Sequence, residues 1–129
     1  MSLLSRDAIL NANDIQSEDV HVPAWDGIVK VRGLTGEQRD AFEEAMIEGR
    51  GKNRQVRLTN LRAKLVALCV IDEKGDRMFT DADAAQLGRK SAAALSVLYD
   101  VAARLSGLTD EDVEELTANL SSSPGAGSS

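Results

Sequence analysis

Residues 20–38 read VHVPAWDGIVKVRGLTGEQ, and the fold class turns on the change of period inside them. As far as Leu34 the apolar residues alternate about Asp26 and Gly27, a dipeptide that tolerates the positive φ of a type I′ turn, so the stretch predicts a β-hairpin over 20–33. A two-residue loop there would pair Trp25 with Ile28, Ala24 with Val29, Pro23 with Lys30, Val22 with Val31 and His21 with Arg32. Val22, Ala24, Val29 and Val31 would then face a core, His21, Lys30 and Arg32 would face water, and Trp25 and Ile28 would form an apolar spot beside the turn. Pro23 cannot donate to a ladder, which marks its strand as an edge. From Thr35 the period becomes helical: Thr35 and Gln38 fit a capping box, and Phe42, Ala45 and Met46 follow on one face. A hairpin stable in water needs something to cover its apolar face, and the rest of the chain supplies helices.

Outward from that point, the N-terminal side holds an arm, 1–19, in which Ser5 caps a short helix with Ile9 and Leu10 available for burial. On the C-terminal side, helices are predicted over about 36–48, 57–71, 81–106 and 109–119. The string GRGKNRQ, 49–55, forms a loop between the first two. The helix over 57–71 is apolar around almost its whole circumference and belongs at the centre. Asp72, Gly75 and Asp76 make a turn suited to closing a second, very short hairpin between 70–71 and 78–79. Thr80 and Thr109 are N-caps, Gly88 is a candidate break in the helix over 81–106, and Gly107 caps its end. Residues 20–120 thus form one globular domain, and SSSPGAGSS, 121–129, a flexible tail. The expected fold is mainly α (α+β), a β-hairpin packed on a bundle of about four to five helices.

The 129 residues are enough for a core that needs neither disulfide nor metal. A single Cys excludes an internal disulfide, and one Cys with one His leaves the common zinc sites without ligands. Neither a Walker loop nor GxGxxG occurs. Asp72, Glu73 and Asp76 lack the spacing and closing Glu of a calcium loop. His21 is expected on an exposed strand face beside Arg32. Cys69 lies within VALCVI, where burial suppresses thiolate chemistry. No catalytic residue, metal or cofactor is assigned, and the chain does not read as an enzyme. No stretch reaches the ~20 apolar residues of a membrane span, and the N-terminal apolar run is too short for a signal peptide, so a cytoplasmic location is expected.

Charge is unevenly spread. The total is 15 Lys and Arg against 21 Asp and Glu, a net of −6. Yet Arg50, Lys52, Arg54, Arg57, Arg62 and Lys64 fall within 50–64, which contains no acid. This segment has no Phe, Trp or Tyr to stack on bases, so an acidic protein surface suits it better than nucleic acid. Candidate partner-binding residues are Arg50, Lys52, Arg54 and Arg57 together with Trp25 and Ile28. Asp110, Glu111, Asp112, Glu114 and Glu115 on the last helix are candidates for self-association through the basic segment of a second copy. The alternative is a small cytoplasmic DNA-binding regulator using 50–64 against phosphate, with affinity falling steeply in salt.

Residues 31–108 also carry a sequence of features that resembles the tail assembly chaperones of long-tailed phages, in the variety common in actinobacterial phages and prophages. These are the hairpin exit VRGLT, the DAFE helix, the glycine-basic loop, RAKLVALCV, DEKGDRMFT, LGRKSAAAL and ARLSGL, and the likeness extends over about 3–118. Relatives commonly read ARLNGL, where this chain has Ser106. The resemblance implies a non-catalytic protein that acts during virion assembly in the bacterial host cytoplasm. Such a protein coats the tape measure protein, recruits major tail protein around it, and is absent from the finished virion. It also implies a possible homo-oligomer and a longer form made by ribosomal frameshifting, reached through the Ser/Gly tail.

Overall fold

A computed structural model describes residues 2–48, 55–56 and 60–108. The predicted helix over 109–119 and the tail 121–129 therefore lie outside the described residues. Helix α1, Arg6–Leu10, is followed by strands β1, Ser17–Val22, and β2, Gly27–Arg32. Then come α2, Gly36–Ala45; β3, Ile47–Glu48; β4, Gln55–Val56; α3, Leu61–Cys69; β5, Val70–Ile71; α4, Ala84–Leu87; and α5, Ala92–Leu105. The order β1-β2-β5 makes one antiparallel three-stranded sheet, and β3 pairs with β4 separately. The hairpin-on-helices α+β architecture is the observed one.

The hairpin forms, but its register differs from the expected one. Val20 pairs with Val29, His21 with Ile28 and Val22 with Gly27, because the connection is a 3₁₀ turn, Pro23–Trp25, closed by Asp26 at φ 51°. Proline's fixed φ and missing N–H suit the start of such a turn, and Asp tolerates the left-handed region. The first strand is displaced by four residues, an even number, so each side chain keeps its face: Val20, Val22 and Val31 are buried as alternation requires. Ala24 moves from the expected core face to the exposed turn. The strand begins at Ser17, three residues into what reads as arm, and β1 is an edge strand.

Thr35 caps α2 as expected, accepting from the Gln38 N–H at 3.1 Å while the Gln38 side chain accepts from the Thr35 N–H at 3.0 Å. The helix ends at Ala45 rather than 48, since β-branched Ile47 enters β3 opposite Val56. Helix α3 is buried almost all round, with Ala63 and every residue from Leu65 to Cys69 inside. It stops two residues short of the predicted end because Val70 and Ile71 join the sheet opposite Val31 and Lys30. The turn after them uses Asp72 internally: its Oδ1 accepts from the N–H groups of Lys74 at 2.8 Å and Asp76 at 3.1 Å.

The helix predicted over 81–106, with Gly88 as a candidate break, is three pieces, and Gly88 is one of the breaks. A 3₁₀ turn, Asp81–Asp83, leads into α4, whose C-cap is Gly88, and Ser91 opens α5 by accepting from the Ala94 N–H at 3.3 Å. Arg77 ties the pieces to α3, donating to the Ala67 carbonyl at 3.0 Å and to Asp81 at 2.9 Å, and so satisfies one of the carbonyls that a helix end leaves open. The core gathers Val22, Val31, Phe42, Met46, Leu65 and Leu98, each at most 2 % exposed. Burying side chains of this size stabilises by about 1.5–3 kcal/mol apiece relative to leaving them in water.

Candidate interaction surface

Two stretches far apart in sequence meet at the hairpin exit. Helix α5 ends in a Schellman motif, with the Gly107 N–H donating to Arg104 at 3.2 Å and the Leu108 N–H to Ala103 at 2.8 Å, Gly107 at φ +73° and Leu108 buried. This places Ser106 Oγ where it accepts from the Leu34 N–H at 2.9 Å. A Cβ on Gly33 would lie 2.5 Å from the Leu105 carbonyl oxygen, so only glycine lets the strand approach so closely. VRGLT and ARLSGL are thus one joint. The 72-residue separation hid the role of Ser106 from local reading.

The joint also accounts for Cys69. Burial pushes its thiol up to about 12 from an ordinary 9.0, against the smaller opposing influence of a hydrogen bond with Ser106 and the charges of Arg32 and Arg77. A protonated, wholly buried thiol packs and does not attack. His21 is exposed on β1 opposite Ile28 rather than Arg32. Among the described residues, no three His, Cys, Asp or Glu side chains converge to hold a metal ion. No helix among them is long and apolar enough to cross a membrane.

What the surface does offer is apolar. Trp25 and Ile28 are exposed but do not make the paired spot expected of them: Trp25 lies in the turn that packs on α5, whereas Ile28, 70 % exposed, stands on the opposite face of the sheet. On that face Asp19, Lys30 and Ile71 form a row across all three strands, with Lys30 Nζ 3.3 Å from Asp19. A groove of about 580 Å³ opens over it, lined by Ile28, Val29, Lys30, Ile71, Lys74 and Met78 among others. Ile71 is buried yet stands apart from the main core, and Met78 is largely exposed. The groove escapes sequence reading because it joins strand, turn and return segment. The one local signal is Ile28, on the polar face of its strand.

Arg50, Lys52, Arg54 and Arg57 lie outside the described residues, as do Asp110, Glu111, Asp112, Glu114 and Glu115. β3 pairs with β4, Ile47 opposite Val56 and Glu48 opposite Gln55, where the sequence reading placed the end of a helix at 47–48 and loop at 55. Of the other two bases in the segment, Arg62 stacks its guanidinium 5.7 Å from the centre of the Tyr99 ring, and Lys64 lines a cleft between α2 and α3.

No curated protein and no solved structure matches the chain. A family model described as phage tail assembly chaperone matches residues 5–119, which takes in the arm from Ser5 onward, the sheet and every helix described above. The chain belongs to the phage tail assembly chaperone family, and its role lies in tail assembly.

Proposed function

We propose that the protein is a non-catalytic chaperone that holds tape measure protein and major tail protein during virion assembly in the host cytoplasm, and that it leaves before the virion is complete. The family match over 5–119 carries this reading. The surface supports it, because large apolar side chains in water mark contact sites on a protein that works by binding others.

The client-facing elements are Trp25 at the turn, Ile28 on the outer face of the sheet, and the basic residues Arg50, Lys52, Arg54 and Arg57, which suit an acidic protein surface. The same basic residues engage Asp110, Glu111, Asp112, Glu114 and Glu115 of a second copy. Exposed ion pairs contribute about 0.2–1 kcal/mol each, so reversing four charges weakens client binding roughly tenfold or more.

The test is a titration of labelled tape measure protein from the same phage genome against the wild type, against a variant with all four bases changed to Glu, and against W25A. The reading expects weakening in both variants. Equal affinity in all three would remove these residues from the client surface, and no binding at all would remove the client. Self-association through the charged residues should diminish in light scattering between about 0.1 M and 1 M salt, as the screening length falls from ~10 Å to ~3 Å.

A further inference from the structure

The two terminal segments join the body at one place. The Gln16 carbonyl accepts from the Gly33 N–H at 3.0 Å, and a Cβ on Gly33 would lie 2.5 Å from the Leu105 carbonyl oxygen. Leu108, shortly after, is buried and donates its N–H to Ala103 at 2.8 Å. The N-terminal arm therefore enters, and the segment from 109 onward departs, at the joint of hairpin exit and α5.

The arm needs a cover. Ser5 Oγ accepts from the Ala8 N–H at 3.1 Å and fixes the start of α1, yet among the described residues none of that helix is buried. The described body thus does not supply the packing expected for Ile9 and Leu10, and Leu3 and Leu4 find no cover among the described residues either. Leu4 and Ile9 occupy the two positions, before the cap and one turn into the helix, that a hydrophobic staple brings together. A helix of five residues does not hold in water by its own hydrogen bonds, since isolated helices shorter than about 12 residues are marginal.

Outside the described residues, only 109–120 has the side chains to supply that cover. Residues 49–54 hold no large apolar side chain, 57–59 hold Leu58 alone, close to the start of α3, and 121–129 hold none. Val113, Leu116 and Leu120, by contrast, recur at helical spacing. Reach agrees as well. From the joint, residues 11–16 span up to roughly 20 Å, and a helix over 109–120 extends about 18 Å. The arm runs toward the joint and 109–120 runs away from it, so the two lie antiparallel.

We propose that the segment 109–120 packs Val113, Leu116 and Leu120 on Leu4, Ile9 and Leu10 of its own chain's arm. The two cover each other, so a partner that takes either one displaces the other. The acidic residues between 110 and 115 lie off the apolar stripe and stay outward. The contact is made within one chain and depends neither on which tail proteins are clients nor on self-association.

The experiment uses full-length chains with added cysteines, since native Cys69 is fully buried and stays out of oxidation. I9C/L116C is oxidised in dilute solution and run without reductant. The expected result is a bond closed within single chains at least several-fold faster than in I9C/E114C, whose second thiol has nearly the same tether but lies off the stripe. Equal rates in the two variants, the behaviour of a loose segment, overturn the proposal, and so does a bond formed only between chains. Hydrogen exchange read by mass spectrometry gives a second measure. V113D/L116D should speed exchange of the N-terminal peptide at least several-fold, including the Asn11 N–H that donates to Asp7 at 3.0 Å. Exchange left unchanged by the two aspartates would also overturn it, whether the arm is open in both chains or covered by another segment. No tail protein is present, so the outcome is separate from client binding.

Discussion

Replacing Gly33 by Ala puts a methyl group 2.5 Å from the Leu105 carbonyl oxygen and 3.0 Å from its carbon. Both neighbours are backbone, so no flexible side chain can swing aside. Overpacking of this kind costs about 1–3 kcal/mol, while stiffening the unfolded chain by Gly to Ala returns about 0.4–1 kcal/mol. The net expectation is a loss of about 1–2 kcal/mol. Gly36, at the start of α2, is the internal control: an added Cβ there meets nothing within 4 Å, so G36A gains about 0.4–1 kcal/mol. Urea unfolding followed by circular dichroism measures both. With a slope of about 2 kcal/mol per molar, the midpoint falls by roughly 0.5–1 M for G33A and rises by roughly 0.2–0.5 M for G36A at unchanged slope. A G33A midpoint at or above wild type would refute the close approach of hairpin exit and α5 end, and with it the joint that places Ser106.

S106A leaves the Leu34 N–H without its acceptor in a half-buried site and should cost about 1–2 kcal/mol in the same assay; no change would mean that the 2.9 Å contact contributes nothing. Cys69 should resist thiol reagents in the folded chain at neutral pH and react once urea unfolds it, and fast labelling of the native protein would contradict its burial. Because folding raises the thiol pKa from 9.0 to about 12, the folded chain holds that proton more tightly. The resulting stabilisation is complete below about pH 9 and is lost as pH climbs toward about 12. The urea midpoint of wild type should therefore fall faster than that of C69A from roughly pH 8 to roughly 11, and parallel curves would refute the assignment.

How much of this was legible follows from the range of each signal. Alternation over 20–31 identified the faces of the hairpin because a strand's side-chain period depends only on local backbone geometry. The register did not follow, because Pro23 and Asp26 support either a short primed turn or the observed 3₁₀ turn, and both preserve the alternation. Thr35 with Gln38, Ser5 and Gly107 were legible as caps, since capping is decided within four residues. Val70 and Ile71 read both as the end of a helix and as one side of a very short hairpin, and they are strand, because pairing with β2 decides a local pattern that suits either state. Features built from distant segments stayed hidden: the contact of Ser106 with Leu34, the closeness of Gly33 to Leu105, and the groove. The arm shows the converse, since the sequence offers Ile9 and Leu10 for burial, yet among the described residues no residue of α1 is buried.

The central claim is that this domain keeps a tail protein in solution until assembly, and the most direct measurement is the partition of tape measure protein between supernatant and pellet, expressed with and without this chain. The account predicts that tape measure protein moves largely into the supernatant and purifies with the chaperone bound, and that charge reversal at Arg50, Lys52, Arg54 and Arg57 returns part of it to the pellet. The same partition with and without the chain, and no chaperone in the purified fraction, would contradict the account.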